Sequence, residues 1–407
     1  MLPADSQNWQ WLEREFLNLT ALYGYREIRT PVFEDIELFT RTSGETSDIV
    51  TKQMYDFHDK GDRHITLKPE GTAPVIRAVL EHNLCPQGSV CRLTYITPIY
   101  RYERPQKGRL REAHQVGLEL IGSPSVAADA EVIEITVRYY ERLGLKDLTV
   151  LINSLGRAEC RKNYRAALLA HVESWLKEQP EEFQVKVQKN PLRLLDSKDP
   201  GLQAVLADAP SILDFLEDDS KKRFEELQGL LGEVNVSFTV SPNMVRGLDY
   251  YTETVFEVQS TKLGAQSSLC GGGRYDDLVK ELGGPPTPSV GVAMGLERAL
   301  IVLEEEGLLR PQAKADVYIA YTGGDTQAEA MKLAREMREC GLAALIDIDG
   351  KSLKSQLKQA DRSGVKAVVV LGEDEIKSGT VSLRDMQSSE QRSVQRSAII
   401  STLKGLC

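Results

Sequence analysis

Long apolar segments and paired cysteines are both missing from this 407-residue sequence. No apolar run approaches the roughly 20 residues that cross a bilayer, and the N-terminus has no basic stretch followed by an apolar one. The six cysteines are scattered without a Cys-x-x-Cys pair, which argues against a disulfide framework and against a structural zinc site. We therefore expect a cytoplasmic protein with reduced thiols and no membrane segment.

Metal ligands and excess positive charge are also scarce. The five histidines show no spacing such as His-x-x-x-His, so no metal site is predicted. Lysine and arginine number 50 against 60 aspartates and glutamates, and the formal net charge is −10. Because nonspecific affinity for nucleic acid comes mainly from basic residues that neutralise phosphates, any nucleic-acid contact must be local.

Hydrophobic periodicity divides the first three quarters of the chain into three parts. Residues 9–23 have helical spacing, with Asp5 or Ser6 as the expected N-cap. From there to about residue 125, short apolar segments alternate with polar turns, as in an antiparallel sheet. Residues 158–232 are charged and helix-prone, so we expect a helical insertion before strand patterning returns.

The remainder of the chain has a different pattern. Residues 308–314 include Pro311 and show no periodicity, which is typical of a linker. Beyond them, short apolar strands alternate with helical patterns, and this alternation indicates a parallel or mixed sheet with crossover helices. The sequence therefore predicts one domain over residues 1–310 and a small α/β domain over residues 315–407.

The most specific motif is the heptad Arg246-Gly247-Leu248-Asp249-Tyr250-Tyr251-Thr252, which combines a cation, a carboxylate and two adjacent phenols. It is followed by Gly271-Gly272-Gly273-Arg274-Tyr275-Asp276. This glycine run lacks the Gly-Lys-Ser/Thr ending of a phosphate-binding loop. The sequence therefore predicts no phosphate-binding loop here.

Three further segments occur in order along the chain. They are Gly24-Tyr25-x-x-Ile28-x-x-Pro31-Val32-Phe33, Tyr100-Arg101-Tyr102-Glu103 with a basic loop behind it, and Gly291-Val292-Ala293-Met294-Gly295-Leu296-Glu297-Arg298. Alone, each is compatible with an ordinary turn, a solvated hairpin or core packing. Chance agreement of all three in one chain is improbable.

Together these segments resemble the signatures of histidyl-tRNA synthetases, a family of class II aminoacyl-tRNA synthetases. The resemblance implies an α+β fold, with a class II catalytic domain built on an antiparallel sheet (1–310, helical insertion about 158–232). It also implies a C-terminal α/β anticodon-binding domain (315–407). The expected protein is a homodimer that joins histidine to tRNA(His), using ATP together with Mg²⁺.

The resemblance also assigns roles to four arginines. Arg246 and Arg101 would be catalytic, with Arg101 at the α-phosphate of ATP and Arg246 where other class II enzymes place a metal ion. Arg109, Arg298 and Arg101 would bind ATP, with Arg298 at the γ-phosphate. Arginine suits this work because its planar guanidinium binds phosphate in two places and stays charged.

Recognition of histidine requires groups that read one N–H donor and one acceptor on a neutral imidazole. By position in the motifs, Glu119 and Tyr251 would hold the ring. The other residues expected to bind histidine are Glu70, Gly71, Thr72, Gln115, Tyr250 and Tyr275. His114 is not assigned a direct catalytic role.

A basic stripe occurs in the C-terminal domain. Lys351, Lys354, Lys358 and Arg362 fall at steps of three or four, which predicts that they share one helical face. Such stripes are commonly just solvated surfaces. Because the rest of the chain is acidic and the family binds the tRNA anticodon region with this domain, we expect Lys351, Lys354 and Lys358 to contact tRNA.

The chain departs from the family pattern at three places. An Arg-Gly-Thr leader is missing ahead of Leu2, Lys68 stands in place of arginine, and Ala113 stands in place of a phenylalanine that stacks on adenine. The alternative function is that of the non-catalytic regulatory subunit of ATP phosphoribosyltransferase, which has the same fold. That relative typically lacks the anticodon domain and has a degraded Arg246 motif, whereas this chain retains both.

Overall fold

The computed structural model describes residues 1–42, 47, 49–104, 106, 108–197, 199–312, 314–323 and 326–406. The chain divides into two compact units, Met1–Arg310 and Pro311–Cys407. Among the described residues, every helix is too short or too polar to span a bilayer.

The first unit contains strands that form an eight-stranded and a three-stranded sheet. Its strands are β1 (Arg26–Glu27), β2 (Phe33–Asp35), β3 (Tyr55–His58), β4 (His64–Leu67), β5 (Cys91–Tyr100), β6 (Glu112–Ile121), β7 (Leu148–Ser154), β8 (Thr239–Val240), β9 (Thr252–Ser260), β10 (Ser268–Arg274) and β11 (Ser289–Gly295). Its α-helices are α1 (Pro3–Leu22), α2 (Ile36–Thr42), α3 (Thr72–Glu81), α4 (Val126–Arg142), α5 (Ala158–Lys177), α6 (Glu181–Lys189), α7 (Pro200–Leu206), α8 (Asp218–Glu233), α9 (Leu278–Glu281) and α10 (Leu296–Glu305). Short π- or 3₁₀-helical segments occupy Ile49–Gln53, Pro191–Asp196, Ile212–Phe215 and Thr261–Gln266.

The larger sheet has the strand order β1-β5-β6-β11-β10-β9-β7-β8. The pairs from β5 to β7 are all antiparallel, as the sequence predicted, and the short strands β1 and β8 are added in parallel at the two edges. Strands β5 and β6 pair over their full ten residues, from Cys91 opposite Ile121 to Tyr100 opposite Glu112. This long hairpin lies near one edge of the sheet, and β6 joins it to β11.

One face of the sheet is covered by the apolar sides of α1, α4 and α10. Phe16 of α1 meets Tyr139 of α4 edge to face at 5.3 Å between ring centroids, and the Tyr139 hydroxyl donates to the Leu12 carbonyl at 3.2 Å. The first helix begins earlier than predicted, at Pro3. The carboxylate of Asp5 lies inside the first turn and accepts a hydrogen bond from the Leu2 amide at 3.1 Å.

The opposite face is covered by α3 and by α5, α6 and α7 of the helical segment, whereas α8 packs with α4 on the first face. Within that segment, the described residues from Ala158 to Glu233 form helices and turns but no strand. Tyr164 and Leu168 of α5 are fully buried in the same apolar cluster as Val255 of β9. The predicted helix-prone stretch is thus packed onto the sheet.

The second unit is a mixed sheet with helices. It consists of β12 (Val317–Tyr321), α11 (Thr326–Glu339), β13 (Ala344–Ile346), α12 (Leu353–Ser363), β14 (Ala367–Leu371), α13 (Glu373–Ser378), β15 (Thr380–Asp385), β16 (Gln391–Gln395) and α14 (Ile399–Lys404). The strand order is β13-β12-β14-β15-β16, with the first two pairs parallel and the last two antiparallel. Residues alternate along β12 between two separate apolar clusters, so both faces of this sheet are covered.

Candidate active site

A cleft of about 200 Å³ opens on the first unit beside β5, β6, β10 and β11. Its walls contain most of the side chains to which the sequence assigned a role. The predicted site residues that line it are Glu70, Thr72, Arg101, Arg109, Gln115, Arg246, Tyr250, Tyr251 and Arg298. The sheet thus brings together residues that are far apart along the chain.

Glu119 is a fully buried carboxylate on β6. Oγ1 of Thr72 donates to its Oε1 at 2.7 Å, and the hydroxyl of Tyr95 donates to the same oxygen at 3.2 Å. The hydroxyl of Tyr275 donates to Oε2. Burial raises the pKa of Glu119 to about 8, and these three hydrogen bonds oppose that shift in part because they favour the charged form.

Glu70 is buried at the start of α3. Its Oε2 accepts a hydrogen bond from the Thr72 amide at 2.7 Å, and its Oε1 accepts one from the Ala73 amide at 2.8 Å. The amides at a helix start have no partners within the helix, so a carboxylate there is stabilised by hydrogen bonds and by the helix dipole. Burial nevertheless raises the pKa of Glu70 above its ordinary value.

Four arginines converge on the cleft, each held by an oxygen atom of the protein. Nε of Arg101 donates to the Pro69 carbonyl at 2.7 Å. Nε of Arg298 donates to the Gly108 carbonyl at 3.2 Å, and its Nη1 donates to the Ser268 carbonyl at 2.5 Å.

The other two arginines are paired with carboxylates. Nη1 of Arg246 lies 2.5 Å from Oε2 of Glu257, and Nη1 of Arg109 lies 3.3 Å from Oε2 of Glu103.

Burial lowers the pKa of Arg101 and of Arg298, and the nearby charge of Arg109 adds to both shifts. Guanidinium groups this close repel one another, and a polyanion placed among them would relieve the repulsion. The arrangement of cations is therefore suited to binding a chain of phosphates.

Three phenols cluster at one side of the cleft, where Tyr250 and Tyr251 form an aromatic wall. The ring centroids of Tyr250 and Tyr251 are 4.6 Å apart, and those of Tyr250 and Tyr275 are 5.7 Å apart. All three side chains are buried, and Tyr275 lies behind the wall next to Glu119. Gly71 also lies behind it, against the ring of Tyr95.

Several functional neighbours were missed in the sequence. Tyr95 and Glu257 lie on strands, where alternation indicates only which side they face. Glu297 was quoted within a motif without a role, yet it accepts the His114 amide at 2.9 Å and contacts the His114 ring nitrogen Nδ1 at 3.0 Å. This contact raises the pKa of His114, which also lines the cleft.

Two departures from the family pattern have clear surroundings. Ala113 is half-buried and lines the cleft. Lys68 is only 1% exposed, and its Nζ donates to the carbonyl oxygen of Thr30 at 3.1 Å and to its Oγ1 at 3.0 Å. Burial lowers the pKa of Lys68 to about 8.

The basic stripe of the second unit is shorter than predicted. Lys354, Lys358 and Arg362 are exposed on α12, but Lys351 precedes that helix. The Lys351 amide donates to the carboxylate of Asp347 at 2.8 Å, and its Nζ lies 2.6 Å from Asp349. These two contacts hold Lys351 in the preceding loop, so the prediction that it shares the helical face was wrong.

An antiparallel sheet with arginines gathered at one cleft, together with a separate mixed α/β unit, defines a class II aminoacyl-tRNA synthetase. The family model for histidyl-tRNA synthetase matches residues 1–299, and the model for an anticodon binding domain matches residues 316–406. The chain belongs to the histidyl-tRNA synthetase family.

Individual proteins agree with this assignment. The histidine–tRNA ligase of Thermoanaerobacter pseudethanolicus is 46% identical over 407 residues, which cover 100% of this chain and 97% of that protein. The ligase of Synechococcus elongatus is 45% identical over 400 residues, covering 98% of this chain and 92% of that protein. The structure of apo histidyl-tRNA synthetase from S. aureus has a TM-score of 0.82 at 36% identity and covers 99% of this chain and 97% of that one.

The regulatory-subunit alternative is less well supported. An ATP phosphoribosyltransferase regulatory subunit/histidyl-tRNA synthetase from Bacillus halodurans C has a TM-score of 0.65 and 24% identity, covering 91% of this chain and 96% of that one. At that identity the likeness concerns the fold alone. The relatives of about 45% identity over nearly the whole chain favour the ligase.

Proposed function

We propose that this histidine–tRNA ligase forms histidyl-adenylate in the cleft of the first unit and then transfers histidine to the terminal ribose of tRNA(His). The observation that supports this most strongly is the convergence of Arg101, Arg246 and Arg298 on one cleft that also contains Thr72, the hydrogen-bond partner of Glu119. Cations for the triphosphate and polar groups for an amino acid are therefore adjacent.

In the first step, a carboxylate oxygen of histidine attacks the α-phosphorus of ATP, and pyrophosphate leaves. The five-coordinate phosphorus carries extra negative charge, which Arg101 and Arg246 stabilise because they are already in position. ATP enters as its magnesium complex, and Arg298 binds the γ-phosphate. The reaction needs no nucleophilic side chain.

Histidine is held by polar groups at the base of the cleft. Oε1 of Gln115 is buried and has no hydrogen-bond partner among the described residues. Such an acceptor costs about 1–3 kcal/mol when it stays unpaired, so it is ready to accept a hydrogen bond from the ammonium group of histidine. Glu119 and Tyr251 select the imidazole, and Glu70, Thr72 and Tyr250 complete the pocket.

The second step requires the 3′ end of tRNA to reach the adenylate. A second cavity of about 370 Å³ shares Arg101, Arg109 and Arg246 with the cleft, and Arg161 and Arg165 of α5 add to its lining. Nη1 of Arg161 also donates to the Tyr251 carbonyl at 2.9 Å, which ties α5 to the histidine site. A polyanion is the ligand that this lining favours.

The second unit binds the anticodon region of the same tRNA, with Lys354 and Lys358 as phosphate contacts and Lys351 beside them. The working protein is a cytoplasmic homodimer, as in the family that the sequence resembles. The proposed anticodon contact and the proposed homodimer are independent of the chemistry of the cleft.

Histidine-dependent exchange of pyrophosphate into ATP tests the first step, and charging of tRNA(His) tests the second. Histidine is expected to support exchange, whereas the other amino acids support it weakly or not at all. A folded protein that lacks exchange but stimulates ATP phosphoribosyltransferase would instead establish the regulatory function.

A further inference from the structure

The ring of Tyr95 fills a slot that two glycines leave open. Tyr95 lies on β5 and is only 2% exposed. A Cβ atom on Gly117, directly opposite it on β6, would lie 2.2 Å from the Tyr95 Cζ atom. A Cβ atom on Gly71 would lie 2.4 Å from its Cε2 atom. Either contact is shorter than any real side chain tolerates, so the slot exists only because two separate segments have glycine there.

The hydroxyl at the end of this ring belongs to a set of three that surround one carboxylate. Tyr95 and Thr72 both donate to Oε1 of Glu119, and Tyr275 donates to Oε2. A carboxylate oxygen accepts two hydrogen bonds readily. Oε1 is therefore fully used, whereas Oε2 retains one acceptor position.

Tyr95 and Glu119 both lie behind the lining of the cleft, which Thr72, Tyr250 and Tyr251 form on this side. The Tyr95 hydroxyl donates to Glu119. We therefore expect its effect on histidine binding to pass through that carboxylate.

We infer that Tyr95 is a positioning residue for the selection of histidine: by occupying Oε1 of Glu119, it fixes the carboxylate and reserves Oε2 for the imidazole N–H. The inference rests on the proposed function, in which Glu119 reads the imidazole. Without the Tyr95 hydroxyl, Oε1 has one donor fewer, and the carboxylate can rotate to offer either oxygen.

The variant Tyr95→Phe tests this because it keeps the ring in its slot and removes only the hydroxyl. In pyrophosphate exchange by the full-length protein, we expect the KM for histidine to rise about tenfold, the effect of losing one hydrogen bond to a carboxylate. The KM for ATP should stay within about twofold, because the arginines are unchanged. Discrimination against a methylated imidazole should weaken in parallel.

The pH dependence provides a measurement that a purely structural role would leave unchanged. The Tyr95 hydrogen bond lowers the pKa of Glu119 against the larger effect of burial. Its removal should therefore move the midpoint of the KM profile for histidine to higher pH. Replacing Tyr95 by 3-fluorotyrosine keeps ring and hydroxyl but makes the phenol a stronger donor, so the midpoint should move to lower pH even if Tyr95→Phe folds poorly.

Tyr318→Phe is the matched control. Tyr318 is 1% exposed in the second unit, and its hydroxyl has no hydrogen-bond partner among the described residues. The Tyr318→Phe variant should leave the KM values for histidine and for ATP unchanged.

Two outcomes would overturn this inference while the proposed function stands, provided that the wild type shows histidine-dependent exchange. One is an unaltered KM for histidine in Tyr95→Phe, and the other is an equal rise in the KM values for histidine and for ATP. Absence of histidine-dependent exchange in the wild type would instead overturn the proposed function.

Discussion

Burial acts in opposite directions on the acids and bases of the cleft. It raises the pKa of Glu70 and Glu119 and lowers the pKa of Arg101 and Arg298, because a medium of low dielectric disfavours either charge. A ligand that supplies the opposite charge restores the favourable interaction. An amino acid with its ammonium group and a triphosphate with its oxygens meet both requirements.

Glu119 should make histidine binding depend on pH. Its pKa is about 8, so the carboxyl is protonated below that pH and donates a hydrogen bond where the imidazole N–H needs an acceptor. The KM for histidine should therefore fall as pH rises through about 8. The glutamine of Glu119→Gln cannot ionise, so in this variant the KM for histidine should not fall in this pH range. Its selectivity for histidine should also be reduced. Exchange kinetics measured from about pH 6.5 to about pH 9, a range on both sides of this pKa, test the prediction.

Two superimposable pH profiles would contradict this role for Glu119. The imidazole of histidine titrates near pH 6.5 and affects both proteins alike. Only a difference between wild type and variant above that range is informative.

Strands and helices determine which side chains can meet. Strand β10 leaves space for the guanidinium of Arg246 because it has a glycine, Gly271, at that position. A Cβ atom on Gly271 would lie 1.8 Å from Nη2 of Arg246. Since β10 is bonded on both sides to β9 and β11, it cannot move aside. A side chain there would force the guanidinium of Arg246 to shift from its present position.

Gly271→Ala is therefore expected to reduce adenylate formation by up to roughly 10²-fold, the loss expected for Arg246→Ala, because it displaces the transition-state cation that Arg246→Ala removes. Single-turnover adenylate synthesis measures the effect. The double variant Arg246→Ala/Glu257→Gln shows whether an unpaired Glu257 contributes to the loss.

Gly229→Ala is the control for glycine replacement. Gly229 lies within α8, and its added Cβ atom would have no neighbour within 4 Å. Alanine stabilises a helix interior by roughly 0.5–1 kcal/mol, so this variant should be slightly more stable and fully active. Near-normal adenylation in Gly271→Ala would show that Arg246 is not needed at its present position.

Helix α12 presents the remaining basic stripe. The double variant Lys354→Glu/Lys358→Glu should weaken tRNA binding and flatten its dependence on salt, because fewer counterions are released from the phosphates. Binding measured at several salt concentrations gives the slope. The variant Lys332→Glu/Lys377→Glu makes the same charge change at side chains that are 64% and 74% exposed in the same unit. Equal slopes in both variants would mean that the stripe is only a solvated surface.

Considered as a whole, the molecule has separate apolar cores in its two units. The clusters that surround the cleft contain residues of the first unit, whereas those around β12 contain residues of the second. Compact units with their own cores can generally fold alone. The division between Met1–Arg310 and Pro311–Cys407 falls within residues 308–314, which the sequence predicts to be a linker.

Removal of residues 315–407 should therefore spare adenylation and depress charging of tRNA(His). The cleft lies within the first unit, while the deleted residues belong to the unit that matches an anticodon binding domain. Exchange and charging are compared at equal concentrations of folded protein. Loss of exchange in a soluble truncation would show that the second unit also supports the cleft.

Many features of the fold and the site could be predicted from the chain, because they depend on local patterns. Short apolar segments that alternate with polar turns up to about residue 125 predict an antiparallel sheet, and the heptad at Arg246 is specific enough to indicate a class of enzyme. Lys351 shows the limit of such patterns. Its spacing fits a helical face, but two aspartates nearby hold it in a loop.

By itself, the sequence determined the family, the class of reaction and the residue types available for each role, since these follow from motifs a few residues long. Only the tertiary structure decided which partners meet: Tyr95 with Glu119, separated by 24 positions, and Arg298 with Ser268, separated by 30. The register of β5 on β6 and the packing of strands around them set those distances. Hydrogen bonds fail within a few tenths of an ångström, which is finer than any periodicity resolves.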